Sequence, residues 1–211
     1  MTTAPITLEP MQAKYNPQVG RLLVHGFRGK FQHLTNMEDD DLALFFEQLF
    51  DHFPTKAGNQ RMVALQEGEV IGTLSIIWNE KSNTKREKQR LPPRNWKGFS
   101  NFGKWNFLKM LIGLSFLDRK PRAGECYIAD AVVHPDHRSK GVGKLLFEWA
   151  KQFVQAEPSL DILSLLVSGK NRRAKHLYEK LSFRTYSKKN SIIHHFLFNE
   201  LNWYFMVQRL K

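Results

Sequence analysis

Residues 138–144, Arg-Ser-Lys-Gly-Val-Gly-Lys, place two glycines and three cations within seven positions. An apolar run, Tyr127 to Val133, precedes them and a helix-like pattern follows. A helix N-terminus offers unpaired backbone N–H groups and a partial positive charge. Gly141 and Gly143 would let those groups approach an anion with no Cβ in the way. Arg138, Lys140 and Lys144 would add charge-assisted hydrogen bonds. The chemistry is that of a phosphate or pyrophosphate cradle. It is not a P-loop, because Arg138 stands at the first glycine position and Leu145 at the Ser/Thr position. It is not a Rossmann fingerprint either, because Leu146 replaces the third glycine.

The elements that must hold this joint are legible on both sides of it. Residues 125–133 read as a strand and 142–155 as a helix burying Leu146, Trp149, Ala150 and Phe153. Residues 160–167 read as the next strand, and a long crossover helix implies that the two strands run parallel. A short helix over 171–181 and strands at 183–188 and 202–209 follow. Upstream, 17–28 reads as a helix ended by Gly26 and Gly29. Residues 39–53 read as a second helix through Leu42, Phe45, Phe46, Leu49 and Phe53, with Asp39, Asp40 and Asp41 at its positive end. Residues 61–78 read as a hairpin turning at Glu67–Glu69, with Val70, Gly72, Leu74, Ile76 and Trp78 on one face of an interior strand. No repeat or boundary divides the chain, so one α/β domain over 1–211 is expected.

Net charge is +12, which favours anionic partners. Residues 79–98 hold seven Lys/Arg against two acids and read as a solvated loop. Nucleic-acid binding would want aromatics among those cations, and only Trp96 is there, so none is expected. The stretch 99–118 is rich in Phe, Trp and Leu. It reads as a partly helical cover for the sheet or the site mouth, or else as an interfacial membrane or partner contact. Its apolar run is too short to span a bilayer. One cysteine, Cys126, excludes an internal disulfide and fits a reducing, cytoplasmic setting. The N-terminus lacks the pattern of a signal peptide. No metal site is expected.

The run Val133-His-Pro-Asp-His-Arg138-Ser-Lys-Gly141-Val-Gly143 resembles the acetyl-CoA loop, V-x-P-x-x-[RQ]-x-x-G-x-[GA], of the GNAT N-acetyltransferase superfamily. Asn171, Ala174, Leu177, Tyr178 and Phe183 are similar to its second signature, N-x-x-A-x-x-L-Y-x-x-x-G-F. Ser182 takes the place of that glycine, so the turn is expected to be built differently. The resemblance implies a mixed sheet with helices on both faces and a long insert, 79–124, between the third and fourth strands.

It further implies an acetyl-CoA-dependent transfer to an amine of a small molecule or peptide. The backbone of Arg138, Ser139, Lys140, Gly141, Val142 and Gly143, with Lys144, would hold the pyrophosphate. Val132 and Val133, on a splayed strand, would pair with the pantetheine arm, and Asn171 would touch it from the next helix. Tyr178 would protonate the leaving thiolate, the ordinary pKa of a phenol lying near that of a thiol. Asp130 is the expected base, with Tyr127 and His134 as alternatives. The acceptor would lie between Phe27, Arg28, Lys30 and Phe31 on one side and His194, His195 and Phe196 on the other. The family often dimerises. The rival expectation is a non-catalytic module of the same fold with a basic surface for RNA or membrane.

Overall fold

The structure, a computed structural model, describes residues 4–53, 57–79, 99, 102–117 and 119–211, leaving aside the side chains of Ile193 and His194. The basic stretch 80–98, Trp96 included, lies outside these residues.

Seven strands form one mixed sheet: β1 (Thr7–Pro10), β2 (Asn59–Gln66), β3 (Glu69–Trp78), β4 (Glu125–Val133), β5 (Ile162–Ser168), β6 (Arg184–Asn190) and β7 (Asn202–Arg209), in the order β1-β2-β3-β4-β5-β7-β6. Every pairing is antiparallel except β4 with β5. Those two are joined by helix α4 (Val142–Ala156), the crossover that a parallel pair requires. Helices α1 (Asn16–Phe31), α2 (Asp39–His52), α3 (Lys104–Leu117) and α6 (Ile192–Phe198) bury one core with one face of the sheet. Helices α4 and α5 (Arg172–Lys180) bury a second core with the other face. Along β2, Val63 and Leu65 join the first core while Met62 and Ala64 join the second. Both faces are covered, which is why the interior strands read as nearly continuous apolar runs.

The structure corrects four expectations. Helix α1 does not end at Gly26 but runs on to Phe31. Its glycines are close-approach positions, not stops. A Cβ on Gly26 would come within 2.5 Å of Val132 Cγ2, and one on Gly20 within 2.6 Å of the Ala43 carbonyl. The bare backbone thus seats α1 against both β4 and α2. In β3, the register shift opposite Ala64/Leu65 puts Val70 in the first core, apart from Leu74, Ile76 and Trp78 in the second. Helix α6 was not expected at all. Finally, the turn after α5 keeps the left-handed geometry that glycine would favour. Ser182 adopts φ 67°, and Phe183 N–H still reaches back to Tyr178 O at 2.9 Å.

Helix α3 packs against α1 and the turn that follows it. Met110 and Gly113 are buried, the latter against Phe31 and Leu34, while Trp105, Leu108, Ile112 and Phe116 stay exposed. No helix among the described residues is long and apolar enough to cross a membrane.

Candidate active site

Strands β4 and β5 pair only from Glu125/Ile162 to Ile128/Leu165. The ladder stops where the register between β3 and β4 shifts, skipping Ala129. An unpaired extra residue bends its strand, and β4 leaves β5 at that bulge. A cleft of about 590 Å³ opens between the parted strands. The backbone of 129–133 that faces it has no ladder partner in β5. The α1 segment around Phe27, the loop before α4 and the inner face of α5 complete its walls.

At one end lies the glycine joint. Gly141 has φ 87°, and nothing lies within 4 Å of where its Cβ would stand. It precedes α4 directly, and no side chain caps that helix start. The first N–H groups of α4 are therefore left for a ligand. Ser139 is also left-handed, at φ 64°. Its hydroxyl accepts from Arg173 Nη2 at 2.9 Å, which ties α5 to the loop. Arg138 Nε donates to Val133 O at 3.1 Å. Arg138, Lys144 and Arg173 thus surround an uncapped helix start at the cleft. This donor set fits a pyrophosphate. Lys140 is exposed and does not line the cleft, and the side chain of Val142 is buried beneath the joint.

Asn171 caps α5, its Oδ1 accepting from Ala174 N–H at 3.1 Å, and borders the cleft as well. Tyr178 also lines the cleft, its ring 5.3 Å from Phe147 and 6.1 Å from Phe183. Its hydroxyl has no hydrogen-bond partner among the described residues. Burial pushes this phenol up to about 12, so it is protonated at neutral pH. That departs from the expected match to a thiol.

Asp130 lines the cleft too, but both carboxylate oxygens accept from Arg61, at 2.6 Å each. The two side chains are 11% and 12% exposed, and Arg61 also lies 5.1 Å over the Phe50 ring. Tyr127 sits in the paired part of β4, buried, with the Arg119 guanidinium 5.3 Å over its ring. His134 meets His25 edge-on at 5.0 Å. His25 lines the cleft, and burial, then His134 and Arg138, hold its imidazole below the ordinary range.

The expected acceptor residues are brought together only in part: Phe27, Lys30 and Phe31 lie side by side on α1. Phe27 lines the cleft, but Phe31 is 1% exposed, packed 6.3 Å from Phe46 and 6.2 Å from Phe198. That ring belongs to the core and presents no face to an acceptor. Arg28 is turned to Met37 O and Asp39, at 2.6 and 3.0 Å. His195 borders a different cleft, beside Lys170, Arg172 and Tyr204, and the His194 side chain is not among those described.

Three contributors escaped the sequence reading: His25, Arg61 and Arg173. Arg173 carried a usable signal, since Arg172 and Arg173 stand in the first turn of α5. The helix dipole disfavours cations there unless an anion joins them.

An uncapped glycine joint opening into a gap between parallel strands has the shape and donors to fit a long ligand that ends in a phosphate group. The Acetyltransferase (GNAT) family model matches residues 27–183, and the chain belongs to that family of acetyl-CoA-dependent enzymes. No curated protein matches the chain in sequence. Among solved structures it is similar to Arabidopsis thaliana NAA60 in complex with a bisubstrate analogue, at TM-score 0.60 and 16% identity over 98% of this chain and 100% of that one. It is similar to a mutant spermidine N-acetyltransferase SpeG from Vibrio cholerae, at TM-score 0.60 and 14% identity over 97% and 94%. A GNAT acetyltransferase from Streptococcus pneumoniae gives TM-score 0.54 and 15% identity over 98% and 100%.

Proposed function

We propose that this chain transfers the acetyl group of acetyl-CoA to an amine of a small molecule or peptide, in a cytoplasmic setting. The observation that carries the reading is the gap between β4 and β5 running onto the uncapped start of α4. In this reading the N–H groups of 139–143, with the side chains of Arg138, Lys144 and Arg173, take the pyrophosphate; the Arg138 N–H itself donates to Pro135 O. The backbone at Val132 and Val133, paired to β3 but without a ladder partner on its β5 side, takes the pantetheine arm, and Asn171 steadies it from α5. The cofactor supplies the activated thioester, and the amine attacks it directly once proximity and orientation are set.

Tyr178 donates a hydrogen bond to the departing sulfur. Full transfer of its proton to a thiolate of ordinary pKa, roughly 8.5, would be uphill from a phenol near 12. The hydrogen bond stabilises charge developing on sulfur without completing that transfer. Asp130 is not the base in this reading. Each of its oxygens accepts from Arg61, so it serves as that cation's partner and shapes the cleft wall. The amine's proton leaves through water toward the neutral imidazole of His25.

The test is release of free thiol from acetyl-CoA across a panel of amines. Cys126 does not interfere with a thiol reagent, because it is buried and its thiol is pushed up to about 12 by burial and then by Glu125. Saturable, amine-dependent release supports the reading. A folded protein that binds acetyl-CoA and releases no thiol with any amine overturns it in favour of a binding module.

A further inference from the structure

The cations around the cleft fall into two groups. Arg138, Lys144 and Arg173 gather at the α4 joint, where the pyrophosphate is assigned. Lys30, on α1 beside Phe27, does not belong to that group. Its Nζ stands 4.7 Å over the Phe27 ring and 5.7 Å over the Trp203 ring. Among the described residues it has no ion pair and no hydrogen bond. Asp130 is the one carboxylate among the described cleft residues, and Arg61 holds it at both oxygens. Lys30 is therefore the one lysine or arginine among the described cleft residues that lies away from the α4 joint, with no ion pair or hydrogen bond of its own.

We propose that the acceptor amine also bears a carboxylate, and that Lys30 is the residue that binds it. The inference rests on the acetyl-transfer reading and names the substrate class of that site. A polycationic acceptor would meet Lys30 with no free acid to offset the repulsion. A carboxylate would give the ammonium charge-assisted hydrogen bonds in a place sheltered from water, where such bonds are strong. Burial pushes Lys30 down to about 8, against a smaller opposing pull from Asp130, as it does for an ammonium short of counter-charge. The Phe27 ring beside it offers an apolar wall for the body of the acceptor.

Matched amines test this: phenylalanine against phenylalaninamide, and the peptide pair Met-Glu-Ala-amide against Met-Gln-Ala-amide, each with acetyl-CoA. The first pair reports a free amino acid, the second an acidic peptide N-terminus. In wild type the carboxylate member of at least one pair is expected to lead by about 10-fold or more in kcat/KM, chiefly through KM, as a lost hydrogen bond to a charged group implies. Lys30→Met shrinks the preference to about 2-fold and Lys30→Arg restores most of it, while acetyl-CoA binding by calorimetry is unchanged in both. A carboxamide preference, a preference untouched in Lys30→Met, or acetyl-CoA binding with no turnover of any of the four overturns the proposal. Absence of acetyl-CoA binding in wild type overturns the transfer reading itself.

Discussion

Replacing Arg61 by Met strands the Asp130 carboxylate. The pair is bidentate, at 2.6 Å on both oxygens, and roughly nine-tenths buried on each side. Removing one partner of such a pair typically costs about 3–5 kcal/mol, because the surviving charge stays buried and uncompensated. The Thr73 hydroxyl, which also accepts from Arg61, keeps its own bond to Met62 O, so the loss is concentrated on Asp130. For a domain of this size that is a fall in Tm of roughly 6–20 °C. The double variant Arg61→Met/Asp130→Leu removes both charges and keeps the volume, and is expected within about 2 kcal/mol of wild type. Urea unfolding of the wild type, both single variants and the double gives a coupling free energy of at least about 2 kcal/mol. Single variants that each cost under about 1 kcal/mol and simply add would refute the reasoning. The pair would then behave like an exposed bridge, and Asp130 would be free to take a proton. The kinetic arm is independent of that cycle. Asp130→Asn is expected to lower kcat by less than about 10-fold, whereas a general base is worth about 10²–10⁴-fold.

Three further predictions follow from particular contacts. Ser182→Gly relieves a left-handed serine, so it raises stability by about 1 kcal/mol, measured by urea midpoint. Tyr178→Phe lowers kcat by about 10- to 100-fold, the worth of one hydrogen bond to a charged group, and wild type shows no alkaline loss assignable to Tyr178 below pH 10. Glu125 is pushed up by burial, but Arg122 N–H, the Ser164 hydroxyl and Arg119 outweigh that and hold it below the ordinary carboxylate range. Its stabilising contribution is present above an unfolded pKa of about 4.3 and is lost as pH falls through the lower folded value. Glu125→Gln is therefore less stable than wild type at pH 7, and the gap narrows on acidification below about pH 4.

The elements around the joint were legible because their chemistry is local. Glu125–Val133 is a short apolar run ending at a proline turn, and its strand bounds match the structure. Helix α4 announces itself by the spacing of Leu146, Trp149, Ala150 and Phe153, of which Leu146 and Ala150 are buried and Trp149 and Phe153 partly so. What depends on distant partners was not legible. Gly26 looks like punctuation until Val132 is seen against it. Asp130 reads as a free carboxylate until Arg61, 69 residues away, is found on both its oxygens. Phe31 and Phe27 share a helix and a residue type, yet one is core and the other borders the cleft, because α1 continues past the glycines. The seven-residue helix α6, Ile-Ile-His-His-Phe-Leu-Phe, has the composition of a strand, and its packing of Phe198 against Phe31 and Trp203 is tertiary.

The central claim is that acetyl-CoA sits across the β4–β5 gap on the start of α4. Calorimetric titration with acetyl-CoA, on wild type and Gly143→Glu, tests it most directly. A side chain at Gly143 needs no strained backbone and has room, its Cβ lying 3.7 Å from Leu177 Cδ2 and 3.8 Å from Val133 Cγ2. Glu there adds negative charge at the proposed pyrophosphate seat while the fold persists. The account predicts wild-type binding with Kd on the order of micromolar, about −8 kcal/mol, and loss of at least 100-fold in a variant with an unchanged melting curve. Equal affinity in the two proteins, or no binding by folded wild type, contradicts it.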